Sequence, residues 1–203
     1  MDKKHLDLSY EKCSFEVVSG ELMISDPCYS EGTWCQGTVK ARNGKWSPNV
    51  SVVDVDGWGH RVVELTACHE DFLQEESDRY LNDGKPAKWE VLRIEVGVDS
   101  GQAGIFDRKY FRDDKVAKDA YRLTEKDICG GDKEKGGEWY SLCCDRTLSF
   151  YSWGIIPYGV VSSSGYGDGG YVAEAVMRDG EAIAVKITFI PIEVRELEEV
   201  EGE

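Results

Sequence analysis

The residues best suited to hold a ligand run from Ser162 to Gly170, where Tyr166 and Asp168 are set among Gly165, Gly167, Gly169 and Gly170. Glycine accepts positive φ and leaves backbone N–H groups open to close approach, so such a loop can cradle anionic or carbonyl oxygens. Tyr166 and Tyr171, with Trp153 and Tyr158 just upstream, add flat rings that suit a planar polar ligand such as a nucleotide base. Asp168 can accept from an amine or a ribose hydroxyl. The run lacks the Gly-Lys-Ser/Thr ending of a phosphate loop. A tight turn between two strands, with Asp168 capping backbone amides, accounts for the same residues.

A second chemistry is nucleophilic. Cys28 follows Asp26-Pro27, and with His60 or His69 as base and Asp26 as orienter it makes the one thiol arrangement that can be drawn. An inert, buried cysteine is the simpler alternative. Metal chemistry fits worse. Cys28 and Cys35 lack the short paired spacing of zinc ligands, and Cys143 and Cys144 are adjacent. Asp54-Val55-Asp56-Gly57 begins like a calcium loop, yet Val63 stands where the bidentate Glu is needed, with Glu64 one place beyond. Asp26 and Asp107 together can hold a divalent ion, or each can cap its own turn. No metal and no cofactor are expected.

These residues must be positioned by strands. Twenty-two glycines and many short β-branched runs point to strands joined by tight turns. Val50, Val52 and Val55 before Asp56-Gly57, with Val62, Val63 and Leu65 after it, read as a hairpin with a turn longer than two residues. Tyr171 to Met177 and Ala182 to Ile190 form a second hairpin around Arg178-Asp179-Gly180. Trp89 to Val98 alternates apolar and polar residues and reads as a central strand. A helix capped by Asp107 runs to about Leu123, and a shorter one follows His69. The Gly- and Lys-rich stretch from Asp127 to Glu138 reads as an exposed loop. The expected organisation is one domain over residues 1–192 and an acidic tail over 193–203 that carries six glutamates.

The chain also resembles itself. Ser19, Gly20, Ile24, Asp26 and Tyr29 recur as Ser100, Gly101, Ile105, Asp107 and Tyr110 at identical spacing. Each copy is a glycine-started strand that ends on an aspartate, and a hairpin follows each. Two diverged halves packed face to face are expected, with chance similarity of two strand–turn segments as the alternative. If a ligand is bound, Gly165, Tyr166, Gly167, Asp168, Gly169 and Tyr171 should meet Asp26, Tyr29, Asp107 and Tyr110 around it.

Composition bounds the partners. Thirty-nine acidic and 24 basic side chains in 203 residues leave a net charge of −15, which opposes nucleic-acid polymers and anionic membrane surfaces. Arg108, Lys109, Arg112 or Arg146 would have to make a nucleotide pocket locally basic. At 41% hydrophobic and 31% charged residues the composition is that of a folded globular chain. No signal-like apolar run opens the sequence, and an odd count of seven cysteines suits the cytoplasm better than an oxidising compartment.

Val98-Asp99-Ser100-Gly101-Gln102-Ala103-Gly104-Ile105-Phe106-Asp107, Ser164-Gly165-Tyr166-Gly167-Asp168-Gly169-Gly170-Tyr171 and the strand Ala182 to Phe189 resemble a bacterial and phage family, domain of unknown function 4241. The resemblance covers the C-terminal half, and Asp26-Pro27-Cys28-Tyr29 is similar to short uncharacterised relatives; Trp34 to Cys68 departs from the pattern. It implies a β-rich domain in which Asp99, Asp107, Gly167, Asp168, Gly169 and Tyr171 form the family pattern, and it implies no mechanism. The resulting expectation is an α+β, β-rich fold with a twisted, mainly antiparallel sheet and one moderate helix. Its function would be non-catalytic capture of a small polar ligand, in a phage or bacterium a signalling nucleotide of a defence pathway. The alternatives are an acidic immunity-type protein that binds a basic partner, and a cysteine hydrolase using Cys28.

Overall fold

The computed structural model describes residues 14–55, 57–81, 84–123 and 138–191. The strands are β1 (Phe15–Val17), β2 (Glu21–Ser25), β3 (Gly37–Lys40), β4 (Gly44–Val55), β5 (Gly59–His69), β6 (Glu90–Val98), β7 (Gln102–Asp107), β8 (Trp153–Ile156), β9 (Gly159–Ser163), β10 (Gly169–Arg178) and β11 (Glu181–Thr188). Among the described residues three α-helices join them, α1 (Glu70–Leu81), α2 (Asp114–Leu123) and α3 (Glu138–Thr147). The strands build two antiparallel sheets, ordered β1-β4-β5-β11-β10-β6 and β3-β2-β7-β9-β8. The fold is therefore α+β and β-rich.

One apolar layer joins the sheets. Leu22, Ile24, Ala103, Ile105 and Val160 of the five-stranded sheet share a core with Trp46, Leu65, Ala173, Val185 and Ile187 of the six-stranded one. The outer face of the five-stranded sheet, through Met23, Phe106, Ile156 and Val161, is covered by Ala117 of α2 and by Trp139, Leu142 and Cys143 of α3. That is why β7 is buried on both faces. On the other side, Phe72 of α1 covers Cys68, Val176, Ile183 and Ala184. Glu70 and Asp71 in the first turn of α1 and Arg79 in its last complement the helix dipole.

The free edge of β8 is guarded against pairing with another chain. The guanidinium of Arg146 donates to the Ile155 carbonyl and covers that part of the edge. Pro48 lies where β4 has outrun β1, so its missing N–H costs no bond to that strand. Asp179 and Gly180, both with positive φ, close the β10–β11 hairpin in the twist that two-residue loops require.

The repeat is real in three dimensions. β2 and β7 pair so that Ile24 faces Ile105, its own counterpart, and a pseudo-two-fold axis passes between them. It exchanges β1 with β6, β2 with β7, β3 with β9, β4 with β10 and β5 with β11. Even the bulges correspond, at Ser51/Val52 and Val176/Met177. The halves are not stacked face to face as the sequence suggested. Each sheet draws strands from both halves, because the axis runs through the β2–β7 ladder and not between layers.

Three further expectations need correction. The strand at 89–98 is an edge, since alternation reports one buried face and an edge strand has that as well. Its Gly97 N–H donates to the Cys35 carbonyl instead of to a strand. Asp107 does not start a long helix. It caps a 3-10 turn over Arg108–Tyr110, after which Phe111 and Arg112, the latter at φ 60°, break the chain before α2 begins at Asp114. α3 lies outside the expected set, and in its first turn the Trp139 N–H donates to Asp114 of another helix. The loop expected at 127–138 falls outside the described residues apart from Glu138, and the tail at 193–203 falls outside them entirely.

Candidate functional site

The two repeated aspartates lie fully buried at opposite ends of the β2–β7 ladder, and each binds the other half. Asp26 accepts from the N–H groups of Asp99 and Ser100, from the Ser100 hydroxyl and from its own turn at Cys28 N. Asp107 accepts from Val18 N and Ser19 N and from its own turn at Lys109 N. Four residues of extended strand, about 14 Å, separate the two ends. The anticipated residues therefore divide. Asp26 and Tyr29 lie at the end that carries the Gly/Tyr loop, whereas Asp107 and Tyr110 lie at the other, where the Tyr110 ring stacks on Tyr158 with centroids 3.8 Å apart.

The pseudo-symmetry separates the scaffold groups of the Gly/Tyr loop from those left over. Ser164 N donates to the Gly101 carbonyl as Ala41 N does to that of Gly20. Asp168 Oδ1 accepts from Gly101 N at 3.1 Å, as Asn43 Oδ1 accepts from Gly20 N at 2.7 Å. The Tyr171 hydroxyl donates to the Gly167 carbonyl, matching the Trp46 indole on that of Arg42. The Tyr171 ring meets Phe189 edge-on as Trp46 meets His69. Gly165, at φ 59°, has no room for a Cβ, which would stand 2.9 Å from that of Phe189. Of the four cations named as pocket walls the three arginines are committed too, and Lys109 lies over the Tyr110 ring at the other end of the ladder. Arg108 pairs with Glu21 and Glu31, Arg112 donates to the carbonyls of Pro27, Cys28 and Tyr29, and Arg146 serves β8.

Cys28 stands in this corner among carboxylates. Burial, reinforced by the hydrogen bond and charge of Asp26 and the charge of Asp99, pushes its thiol up to about 12. Neither histidine is among the groups that act on it. His69 is held at the opposite end between Asn43 O and Asp71 N, and His60 is exposed in the β4–β5 hairpin. Tyr140 of α3 is raised to about 12 as well, by burial first and then by Cys144, with Cys28 contributing. Iodoacetamide should therefore modify Cys28 about a thousandfold more slowly at pH 8 than a free thiol, and the rate should still be rising above pH 10. Mass spectrometry of the Cys28 peptide across that pH range checks this, and a plateau near pH 9 would refute it.

What remains open at the Gly/Tyr loop is an aromatic pair. Tyr166 meets Trp58, from the turn of the β4–β5 hairpin, with centroids 5.3 Å apart; the two residues are 53% and 58% exposed. Trp58 was absent from the sequence-derived set, although its setting, Gly57-Trp58-Gly59, was a signal: a large ring inside a glycine turn has no strand face on which to be buried. The symmetry-related hairpin tip closes on the symmetry-related loop quite differently. There Arg42 reaches Asp71 at 2.6 Å, Glu181 at 3.5 Å and Asp179 at 3.7 Å, and its side chain is 26% exposed. Two open depressions of about 330 Å³ are also present, one between β1 and the β8–β9 turn and one beside Lys186, Ile190 and Pro191, the second reaching the Gly/Tyr loop where Ile190 packs on Gly165. No group of three or more metal-ligating side chains is formed among the described residues. No helix among them is long and apolar enough to cross a membrane.

Comparison with known proteins found no match among family models, curated proteins or solved structures.

Proposed function

We propose that this chain is a non-catalytic binding protein and that its binding face is the Gly/Tyr loop together with Trp58. The observation that carries the reading is the contrast between two equivalent contacts. Where Arg42 is closed off by three carboxylates, Trp58 and Tyr166 leave about half of their surface to solvent. Tryptophan and tyrosine are the residues that most often dominate binding energy at interfaces, because they bury much apolar surface at little conformational cost and keep a polar edge. A scaffold tied down on both sides by Asp168 and Tyr171 holds them without further ordering on binding.

The ligand then sits against a face and not inside an enclosed cavity. With Arg108, Arg112 and Arg146 committed elsewhere, an anionic ligand would find little positive charge at this loop. A basic partner is favoured over the nucleotide that the aromatic rings alone suggested, and the net charge of −15 would steer it. The test is capture of partners from the native host by the wild type and by Trp58→Ala/Tyr166→Ala. The double variant should lose a specific partner with at least a thirtyfold weaker affinity, as expected when about 2 kcal/mol of hot-spot contact is removed. Its unfolding midpoint should be nearly unchanged, because both rings are half exposed. Retention of every partner at wild-type affinity would defeat the proposal.

A further inference from the structure

We infer that the group received at the Trp58–Tyr166 face is the guanidinium of an arginine on a basic partner. The inference rests on the binding face proposed above and names its occupant. The first support is internal. Under the pseudo-two-fold axis, the single residue Arg42 corresponds to Gly165-Tyr166-Gly167, since Ala41 matches Ser164 and Asn43 matches Asp168. In one half the junction of loop and opposite hairpin tip is completed by the chain's own guanidinium, set against Asp179, Glu181 and Asp71. In the other half the same junction presents two aromatic rings, with Asp168 in the loop, and no ion pair of a described arginine is formed there. Arg61, three residues past Trp58, is turned to the carbonyl of His60.

The second support is Asp168 itself. Its structural duty is to accept one hydrogen bond from Gly101 N, a duty that Asn43 performs with an amide oxygen in the other half. A negative charge is not needed for that. The second carboxylate oxygen of Asp168 bonds to no described residue, and the residue is exposed. Aromatic faces beside an uncommitted carboxylate are the surroundings that suit a planar cation, which can stack on a ring and donate sideways to the oxygen at once. An ammonium can do only part of this.

The probes are acetyl-Arg-Arg-amide, acetyl-Lys-Lys-amide and AMP, added to the full chain while the indole N–H resonance of Trp58, assigned with Trp58→Phe, is followed by NMR. The arginine probe should shift this resonance saturably and bind about threefold or more tightly than the lysine probe. The shift should vanish in Tyr166→Ala. In Asp168→Asn the affinity should fall about fivefold while the urea midpoint holds, because Asn43 shows that an amide satisfies the scaffold bond. Unchanged affinity in Asp168→Asn, or a preference for lysine, would overturn the inference. A Trp58 signal moved by AMP but not by the arginine probe would overturn it and leave the binding face standing. A signal moved by no probe would overturn it as well; the binding face would then fall only if the Trp58→Ala/Tyr166→Ala variant also kept every host partner.

Discussion

Asp26→Ala is expected to cost about 3–5 kcal/mol, a large part of the roughly 5–15 kcal/mol that stabilises a domain of this kind. The carboxylate is fully buried and takes four hydrogen bonds, three of them from backbone N–H groups that have no other acceptor in the turn. Removing it takes the acceptor from those partly buried donors, and each donor left without a partner costs up to about 1–3 kcal/mol before the chain relaxes or water reaches it. Asp26→Asn keeps the shape but points an amide N–H at donors, so it should recover only part of the loss. Asp107→Ala should be similar in kind, since Val18 N, Ser19 N and Lys109 N depend on it. Urea denaturation of the variants gives the magnitudes. Hydrogen exchange gives the mechanism: Asp26→Ala should expose the amides of Asp99 and Ser100, in the opposite half, before those of β2. A loss under about 1 kcal/mol with those amides still protected would mean that the turns hold themselves.

Trp139→Ala should cost about as much, about 3–5 kcal/mol, and release α3 from the sheet. The indole is 1% exposed and packs edge-on against Phe106 and Phe111, with centroids 5.0 and 5.2 Å away. Within this cluster it is the largest fully buried side chain, and α3 has few other anchors: Leu142 and Cys143 complete its apolar face. Trp139→Phe separates packing from hydrogen bonding. The indole N–H has no partner among the described residues, so phenylalanine removes a buried unpaired donor while keeping most of the ring contact. It should cost under about 1.5 kcal/mol. Equal losses in the two variants would contradict an anchor made by ring packing.

Binding at the Trp58–Tyr166 face should survive Trp139→Phe unchanged, because Trp139 packs in the cluster of Phe106, Phe111 and Leu142, which shares no residue with that face. A stability variant and a binding variant are thus separable.

Much of this architecture was legible in the residues themselves. The two hairpins were visible because Asp56-Gly57 and Asp179-Gly180 interrupt runs of β-branched residues, and turn chemistry is local. The duplication showed in Ser19-Gly20 and Ser100-Gly101 with their distant Ile, Asp and Tyr partners, since equivalent turns demand the same residue types. Other features are not properties of any segment. The periodicity of 89–98 reports which face is buried but not how many neighbours the strand has, so its place at an edge depended on β10 pairing there and no described strand pairing beyond. α3 takes a capping contact from another helix, where Asp114 accepts from the Trp139 N–H, and no local pattern announces that. Asp26 and Asp107 were recognisable as turn-forming aspartates, but that each secures the other half follows only once β2 and β7 are paired about Ile24 and Ile105. The same holds for the candidate site. Composition singled out Tyr166 and Asp168, while Trp58 joined them only because the fold brings a hairpin from the first half onto a loop of the second. Local chemistry writes turns and faces into the sequence, whereas contacts between distant segments exist only after the chain has closed on itself.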